Sequence, residues 1–441
     1  MRFEIATLES LCELVVDCPH STPKWTDEGI IVLRNQNIKN GVLDLSAPSF
    51  TNEEDYLKRI KRADPKEGDI VFTREAPMGE VCMIPEGVKC CLGQRQVLLR
   101  PKSDVNGQYL FWALQSPYVQ QQIAWNEGTG STVSNVRIPV LKALNIPRID
   151  NEDMIAKSLS DIASKMALNT QTNQTLEQMA QAIFKSWFVD FDPVKAKMNG
   201  KQPEGMDAAT ASLFPEKLVD TDVGELPDGW KLVPVGELLD KAIGGDWGKE
   251  EPDEKHTEEV RIVRGTDIPK LHGGAIDSVP VRYVESKKLK TRKLERGDIV
   301  IEVSGGSKDQ PTGRTLFISD NILNRLELPS EPASFCRRFK PKSYEIGLLL
   351  AVHFQLMYKA GKTWEYQNQS TGISNFQTTY FLEAEHVVVP SEEVLAAFIK
   401  QVSPMMDMAH SNQNIELAKL RDTLLPKLIS GEIELESVAT E

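Results

Sequence analysis

Gly68-Asp69-Ile70-Val71 is written a second time, roughly 230 residues on, as Gly297-Asp298-Ile299-Val300. Both copies read as strands, and their neighbours repeat with them in the same order. Phe3-Glu4-Ile5 through Leu8 to Leu11 answers Trp230-Lys231-Leu232 through Val235 to Leu238. Val32-Leu33-Arg34 with Asn37-Ile38 answers Ile262-Val263-Arg264 with Asp267-Ile268. Ser134-Asn135, after Gly130-Ser131-Thr132-Val133, returns as Ser374-Asn375 after Ser370-Thr371-Gly372-Ile373, and Pro147 matches Pro390. The offset drifts so little that short loop insertions account for it. The chain of 441 residues is therefore two versions of one domain, each long enough to bury a core of its own.

Each half closes in a long helical pattern. From Ile155 the apolar positions run Leu159, Ile162 and Met166, pass Asn169 and Asn173, and continue through Leu176, Ala180, Ile183 and Trp187. Steps alternating between four and three are a heptad seam. The second half runs Leu395, Phe398, Val402, Met405 and Ala409, passes Asn412 and Asn414, and resumes at Leu417, Leu420, Leu424 and Leu428. Asparagines in a seam fix register and partner choice at some cost in stability, so the two helices are expected to pair with each other, antiparallel. Pro193 should stop the first helix, and Pro404 should kink or break the second near Ser403.

The net charge of −13, taken as a sum, argues against a nucleic-acid partner, because phosphate attracts basic surfaces. Its distribution removes the objection. Between Gly200 and Glu259 stand sixteen Asp and Glu against six Lys and Arg, so ten of the thirteen negative charges fall in one Pro- and Gly-containing stretch that reads as a linker passing into the start of a second domain. No apolar run is long enough for a membrane span, the N-terminus has no secretory pattern, and the six cysteines lack metal-ligand spacing. A soluble protein of the reducing cytoplasm is the expectation.

Phe184-Lys185-Ser186-Trp187-Phe188-Val189-Asp190-Phe191-Asp192-Pro193-Val194-Lys195-Ala196-Lys197 resembles the central conserved region of the specificity subunits of type I restriction-modification enzymes. Leu226-Pro227-Asp228-Gly229-Trp230 is similar to that family's entry into a second target-recognition domain, and Leu424-Leu425-Pro426-Lys427-Leu428-Ile429-Ser430-Gly431-Glu432-Ile433 to its closing helix. The resemblance implies a mixed α/β fold with two pseudo-symmetric target-recognition domains separated by two long antiparallel, coiled-coil-like helices. The corresponding boundaries are 1–150 and 229–390 for the domains, 151–192 and 391–433 for the helices, and 193–228 for a linker. It further implies a non-catalytic subunit that reads a bipartite, asymmetric site on double-stranded DNA. Two methyltransferase subunits and the restriction (motor-nuclease) subunits would dock on it and carry the cofactors, leaving this chain with none.

Basic residues at matching places are candidate phosphate contacts: Lys58, Arg59, Lys61 and Arg62 before the first Gly-Asp turn, and Lys287, Lys288, Lys290, Arg292 and Lys293 before the second. A solvated face is the alternative. Arg34 and Arg264 are matched as well, with DNA contact and a structural ion pair equally open. Ser131, Thr132 and Asn135, and Ser370, Thr371 and Asn375, lie in loops rich in hydroxyl and amide groups that suit phosphate or base edges. Trp187, Phe188 and Phe191 are candidate anchors for a partner subunit, against core packing at a helix end. Two rival readings are a repeated-domain structural adaptor and a self-contained nuclease or methyltransferase. Against the enzyme, Gly361-Lys362-Thr363 has Leu356 where a phosphate-binding loop needs its first glycine, and Pro252-Asp253 with Glu285-Ser286-Lys287 straddles the acidic stretch and a basic cluster.

Overall fold

The computed structural model describes residues 3–125, 135–307, 310–370 and 373–435. The chain forms two compact units, one of Met1–Met166 with Leu417–Glu441 and one of Ala167–Glu416.

In the first unit, Glu4–Thr7 pairs antiparallel with Asn145–Arg148 and brings the two ends of the repeat together. Between them stand two four-stranded sheets. One is antiparallel, in the order Cys12–Asp17, Gln96–Pro101, Ile70–Thr73 and Val81–Met83. The other runs Cys90–Leu92, Ile30–Leu33, Ser49–Thr51 and Trp25–Thr26, with its first two strands parallel.

The second unit has the same plan. Lys231–Pro234 pairs with His386–Val389, and an antiparallel sheet runs Leu239–Gly244, Cys336–Pro341, Ile299–Glu302, Thr315–Phe317. In its companion sheet His256–Val263 again has a parallel neighbour, Ser330–Pro332. The repeat in sequence is thus a repeat in topology.

The Gly-Asp-Ile-Val motif has a physical task at each position. Gly68 and Gly297 turn the chain at φ +80° and +90°, where a side chain would be strained. Asp69 accepts from the Lys66 N–H at 2.8 Å and from Arg100 Nε and Nη2 at 2.8 and 2.7 Å. Asp298 likewise accepts from the Glu295 N–H and from Arg338 Nε, at 2.6 and 2.7 Å. Each carboxylate therefore ties a turn to the neighbouring strand. Next, Ile70 and Val71 enter different apolar clusters, as do Ile299 and Val300, because successive side chains of a strand point to opposite faces. With both faces covered, the strand reads as an unbroken apolar run.

One helix, Glu152–Phe188, spans 37 residues, about 55 Å at 1.5 Å each. It ends ahead of Pro193, which sits in the first turn of Asp192–Met198, where its missing N–H costs no helical bond; Phe191, at φ 56°, makes the bend. In the first unit Ile155, Ala156 and Leu159 share a core with Leu425, Leu428 and Ile429. In the second, Ala180, Phe184 and Phe188 pack with Val394, Phe398 and Val402. Within this unit Asn169 meets Asn414 while Phe184 meets Phe398, so partners descend in number as the helix ascends and the pairing is antiparallel.

Two expectations need correction. Pro404 lies inside the helix Glu392–Ala409 and does not break it, since Val402 and Met406, both buried, hold that stretch against the core. The break comes later, before the helix Gln413–Ile429 begins, where Arg325 draws the His410 carbonyl (2.7 Å) and the Asn412 side chain (2.9 Å) away from helical geometry. The stretch expected to be a linker is also largely ordered, with a hairpin of Leu218–Thr221 and Gly224–Pro227.

The two Asp–Arg pairs differ in burial: the Arg338 side chain is 4% exposed and that of Arg100 19%. Removing one partner of a buried pair strands the other charge, at about 3–5 kcal/mol. Arg338→Ala is expected to cost about 3 kcal/mol or more and Arg100→Ala clearly less, read from urea-unfolding midpoints. Equal, small losses of stability would show that neither pair holds its sheet.

Candidate nucleic-acid interface

Both basic clusters are built on a short helix that precedes the Gly-Asp turn, Glu53–Arg59 in one repeat and Ser286–Arg292 in the other. The first is capped by the Asn52 side chain and carries Glu53, Glu54 and Asp55 in its opening turn with Lys58 and Arg59 in its last, the polarity a helix dipole favours. Arg59 proves to be a buried bracket. Its Nε and Nη2 each reach the Leu92 carbonyl at 3.0 Å, and Nη1 reaches that of Ser21 at 3.1 Å. Arg292 occupies the matching place and donates to the Gly244 carbonyl at 2.9 Å.

Symmetry between the clusters is therefore partly structural. Lys58 is taken by Glu54 at 2.6 Å, and Lys288 by Asp246 at 2.9 Å and Glu285 at 3.4 Å. Lys61 and Arg62, and Lys287, Lys290 and Lys293, are exposed and form no ion pair among the described residues. These five keep the properties of a phosphate contact.

Arg34 and Arg264 share a backbone role and differ at the tip. Each opens a single 3-10 turn, its N–H donating to Asn37 at 2.9 Å or Asp267 at 3.0 Å. The Arg264 guanidinium is then held by both oxygens of Asp267, at 2.8 Å each. Arg34 is exposed, lies over the Trp25 ring at 5.4 Å and reaches the Ser49 hydroxyl at 3.4 Å. An ion pair explains the second arginine; the first remains available to a ligand.

Of the loop candidates, Ser131, Thr132 and Thr371 lie outside the described residues, and Ser370 is described only as the end of the strand Gln367–Ser370. Asn135 is half-buried, bridged to Glu75 and touched by Arg74. Asn375 is exposed, between Asn368 and Ser304 in a small three-stranded sheet.

The aromatic candidates are a correction. Trp187 and Phe188 are 5% and 2% exposed, and the half-buried Phe191 packs beside them. Trp187 meets Phe214 edge-on at 4.9 Å, and Phe188 meets Phe398 at 4.9 Å. They bind the end of the long helix to this chain's own core, because the expected linker folds back to supply Phe214, and Trp230, just beyond it, joins the cluster.

Sequence reading missed two features. Trp247 is 40% exposed with Arg282 stacked on it at 5.2 Å, a second Trp–Arg pair beside Trp25–Arg34. An isolated bridge between Lys249 and Tyr283 lies next to these two residues, and no motif announces their meeting. Glu331 is fully buried beneath the Lys288–Arg292 helix, with neither carboxylate oxygen hydrogen-bonded. Burial, aided by nearby Asp246 and opposed by Arg292 and Lys288, pushes it up to about 7.

Residues 2–178 match the family profile described as the type I restriction modification DNA specificity domain. Over 87% of its length the chain is 27% identical to the type I restriction enzyme HindI specificity subunit of Haemophilus influenzae, 90% of which is covered. It is 25% identical to the MjaIX specificity subunit of Methanocaldococcus jannaschii, over 86% of this chain and 80% of the relative. In structure it is similar to the S subunit of a type I restriction-modification system from M. genitalium, with a TM-score of 0.53 and 17% identity over 97% of this chain and 96% of the other. At that identity the structural likeness speaks for the fold alone.

Glu331 gives a test of the ground under the basic helix. From its ordinary 4.5 up to about 7 the unfolded chain is ionised while the folded one keeps the proton. The stabilisation is whole below 4.5 and is lost as pH rises through 7, up to about 3 kcal/mol in all. Glu331→Gln is expected to remove that slope, raising the urea midpoint at about pH 8 and changing it little near pH 4.5. Identical pH profiles for the two proteins would mean that Glu331 is ionised in the fold.

Proposed function

Because the chain belongs to the type I restriction-modification DNA specificity family, we propose that it is the subunit that reads a two-part, asymmetric site on double-stranded DNA. It catalyses nothing itself. Methyltransferase subunits and restriction subunits assemble with it and act at the site it selects. The observation that carries this reading is the topological repeat: two copies of one domain suit two half-sites, and divergent surfaces on a shared scaffold suit halves of different sequence. Residues 1–150 read one half and 229–390 the other, with the antiparallel helices as the frame that joins them. No helix among the described residues is long and apolar enough to cross a membrane, and the protein works in the cytoplasm, where the DNA is.

Within each domain the exposed cations hold phosphate, and the bases are read by other residues, since phosphate contacts position a protein without carrying sequence. Lys61 and Arg62 serve the first domain, Lys287, Lys290 and Lys293 the second. Exposed Arg34 is the further candidate for a direct DNA contact.

Exchanging residues 1–150 for the matching domain of a relative, in the assembled methyltransferase, should change one half of the methylated sequence and leave the other. If methylation mapping showed both halves altered together, independent reading would be wrong. Replacing Lys287, Lys290 and Lys293 with Gln should weaken binding to every sequence alike. It should also flatten the salt dependence by roughly one log-log unit for each phosphate that these side chains neutralise. An unchanged slope would return these lysines to a solvated face.

A further inference from the structure

At the break between the helices Glu392–Ala409 and Gln413–Ile429, three potential ligands meet from distant parts of the sequence. They are Glu177 on the long helix, His272 at the end of the helix Ile268–His272, and His410 in the break itself. One donor atom of each lies within 4.8 Å of the other two. We propose that Glu177, His272 and His410 bind a divalent transition-metal ion of the zinc type, which clamps the helix break to the second recognition domain.

His410 supplies the independent observation. It is fully buried, yet neither ring nitrogen has a hydrogen-bond partner. A buried polar group left unpaired costs about 1–3 kcal/mol, so such groups ordinarily have an explanation. Its Nε2 stands 3.9 Å from Glu177 Oε1, too far for a hydrogen bond. A tetrahedral zinc ion with bonds of about 2.0–2.2 Å holds its ligand atoms about 3.3–3.5 Å apart, so this pair closes by about half an ångström and no pair of the three by more than about 1.5 Å.

The surroundings favour the same reading. His272 Nε2 faces the Thr315 carbonyl at 3.2 Å, and because a carbonyl only accepts, that nitrogen carries the proton and the other the lone pair. A histidine that donates one N–H to a carbonyl while its other nitrogen binds metal is the usual arrangement in metal sites. Arg325 braces both histidines through the backbone, donating to the carbonyls of Leu271 and His410 and to Asn412 Oδ1. Its charge opposes a cation, so the Glu177 carboxylate is needed to offset it. Two imidazoles and a carboxylate suit zinc and leave a fourth position for water.

The test uses the full-length chain without a histidine tag, freed of metal by a chelator and titrated with Zn²⁺ and with Co²⁺. One equivalent per chain is expected, with Co²⁺ giving the visible absorption of a four-coordinate ion. His272→Ala and Glu177→Gln, at partly exposed positions, should each weaken binding by about 100-fold or more. His410→Ala should abolish it, and because that residue is buried its fold is checked by circular dichroism. No stoichiometric binding by the unmodified chain, or His272→Ala and Glu177→Gln proteins that bind as tightly, would overturn the proposal.

Discussion

Asn169 donates to the side-chain oxygen of Asn414 at 3.0 Å, and Asn414 donates in turn to Thr170 Oγ1 at 3.0 Å. Asn169 is 8% exposed, in a seam whose other positions are mostly apolar. A slip of either helix would bury these amides without partners, and unpaired polar groups are costly where water is excluded. The bond therefore specifies more than it stabilises: it selects one antiparallel register from the several that Leu and Ile alone would accept. Within the same unit, Phe184 meets Phe398 edge-on at 6.1 Å in that register.

Around this frame the two repeats keep their brackets and change their surfaces. The Gly-Asp turn, the arginine on the neighbouring strand, the parallel strand pair and the arginine closing the basic helix appear twice. What faces solvent differs. Arg34 meets a ring and a hydroxyl where Arg264 is held by the Asp267 carboxylate, and three exposed lysines in one repeat stand against one lysine and one arginine in the other. A shared scaffold allows this division, because a change on the surface leaves the bracket beneath it intact.

Buried charge serves the same scaffold. Glu385, 1% exposed, receives hydrogen bonds from His353 at 2.8 Å and from Tyr366 at 2.5 Å, and pairs with Lys362 at 2.6 Å. Burial would push its carboxyl up, and these partners together hold it down to about 2. Gly361-Lys362-Thr363, which imitates the end of a phosphate loop, is thus accounted for by a lysine committed to a carboxylate inside the fold. Glu331 has no such partners, and burial pushes its carboxyl up instead. Environment, rather than residue type, separates the two glutamates.

By itself the sequence determined the repeat, the strands at Ile70 and Ile299, the heptad seam and its asparagines, and with them the two-domain plan and the family resemblance. These are periodic or duplicated signals, carried by local spacing, and spacing survives without coordinates. Only the tertiary structure decided which charges are free. Arg59 and Lys61 look alike in sequence, yet one brackets carbonyls from two distant loops and the other meets solvent. It also decided that Trp187 and Phe188 face inward, because the expected linker folds back to supply Phe214 and Trp230 follows just beyond it. The missing hydrogen bond of Pro404 is visible in sequence and predicts a kink or break, while the packing of Val402 and Met406 in an unbroken helix is not. The six histidines show no metal-ligand spacing in the sequence for the same reason. Three chain segments far apart in number meet at one helix break, and no spacing rule reaches across a fold.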